Sequence, residues 1–345
     1  MEILLAIVGL SFLVIVHETG HYLAARAFGM RVLRYSIGFG PALFRYQPKG
    51  SPTIFQVCAI PFLAYVQIDG MNPAEEIDRS DPALFPNKGV LARMATIFAG
   101  PFANYLAASL IMFGFALTYG FREADPGAPM VVAEVVPETP AAQAGIQVGD
   151  RIVRANGQAI ATLEDLVEAT RSRAEQPTEY IVERQGQPLP PLTITPLAAG
   201  EEGRGIIGVS GPYRTVRASL SEAAVYAVEW PFAKTVEQLV GIATLIKRRS
   251  TEGLQGPIGM GERIAEQAAR GAEYYVPFMA LISVALGLFN LLPFPALDGG
   301  RLVFLGFELV TRRRANEKVE AIGHTVGIIF LLGVIVLVTF RDVMS

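Results

Sequence analysis

Residues His17-Glu18-Thr19-Gly20-His21 place two imidazoles and a carboxylate within five positions. On a helix, residues i and i+4 share a face, so both rings can reach one ion. The glutamate between them then stands beside a water on that ion. Zinc lowers the pKa of such a water toward about 7. Glu18 can take the proton and deliver it to a leaving amine. The chemistry predicted is metal-assisted hydrolysis of a peptide bond.

A catalytic zinc usually takes three protein ligands and a water. The segment GLFNLLPFPALDGGR offers Asp298 as the third. A lone carboxylate in an apolar stretch is expensive, and coordination to a cation removes that cost. Pro293, Pro295, Gly299 and Gly300 break the helix there, and irregular backbone at membrane depth is tolerated where it lines a cavity. His324 is the rival third ligand, but no breaker or second polar group accompanies it. Asn290, eight positions before Asp298, has two readings. It could donate to a substrate carbonyl or its oxyanion, or cap the broken backbone around Pro293.

The elements that must carry these groups are apolar. Of 345 residues, 51% are hydrophobic and 18% charged, against roughly 25% charged in soluble chains. The apolar residues collect into four stretches long enough to cross a bilayer, at about 3–28, 91–119, 276–295 and 321–340. The first contains the HETGH run and follows Glu2 rather than a basic n-region, so it reads as a retained span. The net charge of −3, with no basic tract, argues against a nucleic-acid partner. Cys58 is the only cysteine, which excludes an internal disulfide.

Lys and Arg in short flanking loops orient the spans. Arg26, Arg31, Arg34, Arg45 and Lys49 follow the first span, and Arg312, Arg313, Arg314 and Lys318 precede the fourth. Both loops read as cytoplasmic, and both termini as outside. Lys247, Arg248 and Arg249 run against this pattern, in a long loop where the charge rule is weak.

Residues 32–69 alternate apolar and polar positions among glycines, which predicts short strands and turns. They form either a strand pair lodged at the cytoplasmic face near the site or an ordinary cytoplasmic loop. Residues 128–210 form a soluble block with strands, a short helix at AAQAG, an Asn156-Gly157 hairpin turn and a helix from about Leu163. Its run TPAAQAGIQVGDRIVRANG resembles the PDZ domains of bacterial envelope proteases. Residues 218–272 read as amphipathic linker helices, interrupted at Pro231. The first of them lies either on the outer membrane face or on the PDZ domain.

The fold predicted is a multi-pass α-helical membrane protein with four transmembrane helices, a membrane-associated β region and one inserted α/β PDZ domain. Residues 1–121 and 273–345 make its two catalytic parts.

HETGH in a first span and NLLPFPALDGG in a later one resemble the site-2 protease family, peptidase family M50. The resemblance runs over essentially the whole chain and includes Gly100-Pro101-Phe102-Ala103-Asn104 and Gly256-Pro257-Ile258-Gly259. With one PDZ domain between spans two and three, it resembles the bacterial sigma-E regulator proteases, whose best-known enterobacterial members carry two in tandem. The resemblance implies an intramembrane zinc endopeptidase with His17, His21 and Asp298 as ligands. It implies the bacterial inner membrane, with the active site toward the cytoplasm and the PDZ domain periplasmic. Substrates would be single-span proteins already trimmed outside by another protease, either anti-sigma factors or remnant signal peptides. The PDZ domain would bind a new peptide C-terminus or exclude uncut ectodomains.

Two other classes compete. A non-catalytic membrane scaffold has no use for Glu18. A metal transporter with these residues on its path usually shows repeated halves, and none is visible here.

Overall fold

The computed structural model describes residues 2–71, 77–125, 127–136, 139–199, 204–248, 256–314 and 317–344. Arg249, used above for orientation, and residues 137–138 and 200–203 of the soluble block lie outside them. Helix α1 (Glu2–Ala27) leads into strands β1 (Val32–Tyr46) and β2 (Ile54–Ile68) and helix α2 (Val90–Tyr119). Strands β3 (Phe121–Ala124) and β4 (Glu134–Val135), helix α3 (Pro140–Gln143), strands β5 (Arg151–Ala155) and β6 (Gln158–Ala159) and helix α4 (Leu163–Arg171) follow. Next come β7 (Thr178–Arg184), β8 (Gln187–Pro188), β9 (Leu192–Ile194), β10 (Leu197–Ala199), β11 (Arg204–Ile206), β12 (Val209–Ser210) and β13 (Tyr213–Val216). Helices α5 (Leu220–Arg248), α6 (Pro257–Arg270), α7 (Ala272–Leu291), α8 (Asp298–Thr311) and α9 (Glu317–Met344) complete the order. The chain divides into two compact units, Met1–Thr118 with Ser219–Ser345, and Tyr119–Ala218.

In the first unit, α1, α2, α7 and residues Val319–Asp342 of α9 are long and apolar enough to cross a membrane. Their outward faces carry large apolar side chains; Val336 and Leu337 on α9 are 67% and 69% exposed. Such a surface is unfavourable in water and suits lipid. The third span ends at Leu291 rather than at Pro295. Pro293 and Pro295 supply no backbone N–H, so the helix stops and restarts at Asp298.

Helix α1 buries one stripe: Ala6, Gly9, Leu13, His17, His21 and Ala25. Steps of three or four residues keep that stripe on one face. At Gly20 the helix meets α2 so closely that a Cβ would strike the Ala99 carbonyl and lie 2.9 Å from the Ala103 Cβ. Small residues permit this approach where helices associate by packing alone. Helix α7 reaches α2 through the Ser283 hydroxyl, which donates to the Asn104 carbonyl at 2.9 Å. Helix α5 packs Tyr226 and Trp230 against Ala108 and Met112 of α2 and Ala280 and Val284 of α7. Its Thr235 hydroxyl lies 2.8 Å from Tyr105. The first linker helix thus has its partners on the spans. Helix α6 sets Ile264 among Ala6, Leu13, Met279 and Ile282. The Asp342 carboxylate accepts from the N–H groups of Gly256 and Gly259 at 3.1 and 2.9 Å, tying that helix start to α9.

The region 32–69 forms the strand pair of the two alternatives, with two strands of 15 residues each instead of short ones. Its two long strands fold back on each other, and inner residues have neighbours on both sides. Tyr35 pairs with Val66 and with Phe55, and Ser36 with Tyr65 and with Gln56. The outer half of β1 turns back, so Phe44 meets Val57 and Tyr46 meets Phe55. Gly38 and Gly40 allow the bend, with φ of 87° and 90°, where other residues are strained. The segment around Val66 is left at a sheet edge.

The second unit has a sheet of order β6-β5-β7-β8, with β9 also on β7. Its core holds Met130, Ile152, Leu166, Tyr180, Val182 and Ile194. Thr162 and Asp165 form a capping box at the start of α4. Asn156 and Gly157 both have positive φ, as a two-residue hairpin turn of that composition requires. Strands β3 and β13 pair, so the unit's two ends leave it side by side.

Candidate metal centre

Helix periodicity aims His17 and His21 to the same side of α1, where both are buried. Their Nε2 atoms lie 3.1 Å apart. Asp298, the first residue of α8, brings its Oδ2 to 3.2 Å from each of them. A tetrahedral site with zinc–ligand bonds of about 2.0–2.1 Å has its ligand atoms about 3.3–3.4 Å apart. The three atoms therefore have the spacing and the donor types, two imidazole nitrogens and one carboxylate oxygen, that suit zinc. The Asp298 Oδ2 is buried without a hydrogen-bond partner, as an oxygen kept for an ion would be. Among the described residues, these three form the one cluster of His, Cys, Asp and Glu groups of this kind.

Proton positions support the same use. The His21 Nδ1 lies 2.8 Å from the Thr96 carbonyl, which can only accept. That bond keeps the proton on Nδ1 and leaves the Nε2 lone pair facing Asp298 and His17.

Asp298 is held by its loop. Residues 292–297 are irregular, and Ala296 has φ 84°, a strained value for a residue with a Cβ. Backbone bonds from Leu297 to the Phe294 carbonyl and from Gly300 to the Leu297 carbonyl, both 3.1 Å, tighten it. A Cβ on Gly299 would strike the carbonyls of Leu291 and Leu292, and one on Gly300 that of Phe294. The loop leans on α9, where a Cβ on Gly327 would strike the Pro295 carbonyl. The Phe294 and Phe330 rings meet tilted at 46°, with centroids 5.6 Å apart. Helix α8 is clamped further along: Arg93 of α2 bonds both oxygens of Glu308, at 3.0 and 2.5 Å.

Glu18 lies on α1 between the imidazoles in sequence, and its carboxylate accepts a hydrogen bond from the Val66 backbone N–H. Thr19 bonds the Tyr35 hydroxyl at 2.8 Å, and Tyr22, Tyr35 and Phe55 form an aromatic cluster. Together these join the β region to the His17–His21 turn of α1.

The structure does not bring every candidate into this cluster. The Asn290 amide nitrogen donates to the Leu286 carbonyl one turn back, at 2.9 Å. His324 lies on α9, outside the His17–His21–Asp298 group. Sequence reasoning did not assign Gly100 a place at the site. A Cβ there would overlap the His21 Nε2 and lie 2.9 Å from the His17 Nε2. The Gly100-Pro101-Phe102-Ala103-Asn104 run on α2, noted above as part of the resemblance, was the signal that could have found it.

Comparison with known proteins covers nearly the whole chain. The profile of peptidase family M50 matches residues 5–334. An inferred zinc metalloprotease of Agrobacterium fabrum, Atu1380, is 34% identical over 362 residues, covering 97% of this chain and 94% of its own. Another from Clostridium perfringens, CPE1693, is 31% identical over 347 residues, covering 99% of this chain and 98% of its own. Among solved structures, the PDZ domain of an SdrC-like protein from Listeria innocua matches 26% of this chain and 99% of its own, with 18% identity and a TM-score of 0.23.

Proposed function

The chain belongs to peptidase family M50 and is a zinc metalloprotease of a membrane, and from this we propose that it cuts transmembrane segments of single-span proteins. In this reading His17, His21 and Asp298 hold the zinc, and Glu18 is the general base. The observation that carries it is the triangle of three buried ligand atoms, 3.1–3.2 Å on a side, beside the glutamate. Bound there, zinc would supply Lewis-acid chemistry, activating a water at neutral pH and polarising the scissile carbonyl.

The chain's own groups do the rest. Glu18, oriented by the Val66 N–H, takes a proton from the attacking water onto its carboxylate and gives it to the leaving nitrogen. Asn290 is the candidate donor to the substrate oxygen. Its amide carries a second N–H beyond the one given to Leu286.

A transmembrane helix shields its own carbonyls, so cleavage needs a locally extended substrate. The free edge of β2 near Val66 offers backbone groups for strand addition, and Glu18 is its neighbour. The exposed apolar residues Phe39, Leu43 and Phe44 of β1 suit a hairpin dipped into the bilayer interface.

The remaining readings rest on the sequence. The basic loops put the ends of α1 and α8 at the cytoplasm of a bacterial inner membrane. The unit 119–218, read as a PDZ domain, is then periplasmic, where it binds a new C-terminus or keeps out large ectodomains. Substrates trimmed outside by another protease, anti-sigma factors or remnant signal peptides, fit that arrangement.

The test is Glu18→Gln beside the parent, with a tagged single-span substrate and zinc assayed in both. Retained zinc and a cleavage rate lower by about 10²–10⁴ are expected. Equal cleavage, or a parent without zinc, overturns the reading.

A further inference from the structure

Metal-ligating histidines almost always donate their second ring nitrogen to an oxygen, which sets the tautomer and the ring orientation. His21 does so through Thr96. The His17 Nδ1 is equally buried but has no hydrogen-bond partner among the described residues. Asn104 of α2 is 0% exposed, and both its side-chain Oδ1 and Nδ2 also have none. A buried amide left unpaired is costly, and such groups in native proteins call for an explanation.

Contacts along the two helices place these groups on one level. His21 meets Thr96, Gly20 meets Ala99 and Ala103, and the His17 Nε2 faces Gly100. As numbering falls along α1 it rises along α2, so the helices run antiparallel. Asn104 lies one turn beyond Gly100, about 6 Å up the axis and turned only about 40° around it. It therefore follows Gly100 on the His17 side of the crossing. The Ser283 bond to its own backbone carbonyl shows that α7 closes the other flank.

We propose that Asn104 is the positioning residue of His17: its Oδ1 accepts the Nδ1–H of that imidazole through one bridging water. This keeps the His17 proton on Nδ1 and the Nε2 lone pair free for zinc, as Thr96 does for His21. The inference rests on the zinc reading of the triad.

The experiment measures zinc affinity by chelator competition on the full-length protein in detergent, together with thermal unfolding of zinc-free and zinc-loaded forms. Asn104→Leu removes the acceptor at nearly constant volume, and Asn104→Asp keeps it. The expected result is zinc affinity about 10- to 100-fold lower for Asn104→Leu. Its zinc-free form should unfold at or above the parent's temperature, and Asn104→Asp should bind zinc within about threefold of the parent. A purely structural amide predicts the reverse: stability moves and zinc affinity does not. If Asn104→Leu fails to fold, Asn104→Ala carries the same titration with the same expectation. Parent-like zinc affinity in the leucine or alanine variant overturns the proposal. So does a folded Asn104→Asp that binds zinc no better than Asn104→Leu. A parent that binds no zinc defeats the functional reading itself, so the two failures are distinct.

Discussion

The backbone N–H of Val66 donates to the carboxylate of Glu18, joining the edge of the β region to the proposed general base. A strand edge normally leaves its outward N–H groups to solvent or to another strand. Here one of them orients a carboxylate beside two buried imidazoles. A substrate strand lying along this edge would pass the same carboxylate.

Val66→Pro deletes that N–H and disfavours strand addition at the edge. Zinc content should stay at the parent level while cleavage of a single-span substrate falls at least about tenfold. Parent-like cleavage would remove the edge from the mechanism.

Gly100→Ala drives a Cβ into the space of the His21 and His17 Nε2 atoms. The backbone of α2 cannot yield without moving the Gly20 crossing, so the imidazoles must rotate. Zinc affinity should drop by at least about tenfold, because ligand orientation controls it. Gly114→Ala on the same helix has nothing within 4 Å and is the control. It should keep zinc and gain up to about 1 kcal/mol of helix stability.

Arg93→Ala breaks the buried pair with Glu308 and leaves that carboxylate only the more exposed Arg314, 3.8 Å away. Removing one member of such a pair typically costs about 3–5 kcal/mol. The melting temperature in detergent should fall by several degrees, and zinc should be lost more readily because α8 carries Asp298. Arg93→Met with Glu308→Leu should recover much of the lost stability. If the double variant is no more stable than the single, the pair is not what clamps α8.

Asp150 gives the second unit an acid limit. The Arg184 guanidinium, bonded to it at 2.8 and 2.9 Å, holds its carboxyl below the usual range, helped by the Gln147 N–H. A group whose folded pKa is depressed adds stability above its unfolded value, about 3.9 for Asp. That stability is lost as pH falls through the folded value. Hydrogen exchange of residues 139–199 should therefore be protected at pH 6 and accelerate below about pH 4. Arg184→Ala should lower protection already at pH 6 and flatten its acid dependence, because the gap between the folded and unfolded values closes. An unchanged acid dependence would assign the acid sensitivity to other groups.

Much of the architecture was legible because its signals are local. Apolar runs of about 20 residues mark spans wherever they occur. The five residues of HETGH share a helix face by geometry alone, and Asn156-Gly157 demands positive φ whatever surrounds it. Pro293 and Pro295 announce a broken helix near Asp298, though the apolar run carried the expected third span on to Pro295. The structure ends it at Leu291.

Other relationships belong to the folded chain alone. Arg93 and Glu308 are separated by 215 positions, and no periodicity links them. Neither the closeness of Gly100 to two imidazoles nor the direction of the Val66 N–H is written in any short window. The 3.2 Å approach of Asp298 to His17 and His21 depends on how α8 docks beside α1. The docking of α5 on α2 and α7, rather than on a bare membrane face, is of the same kind. Residue type and spacing determine what one helix or turn can do by itself. How two such elements meet depends on packing summed over the whole core, where a single methyl group at Gly20 or Gly100 would change the answer.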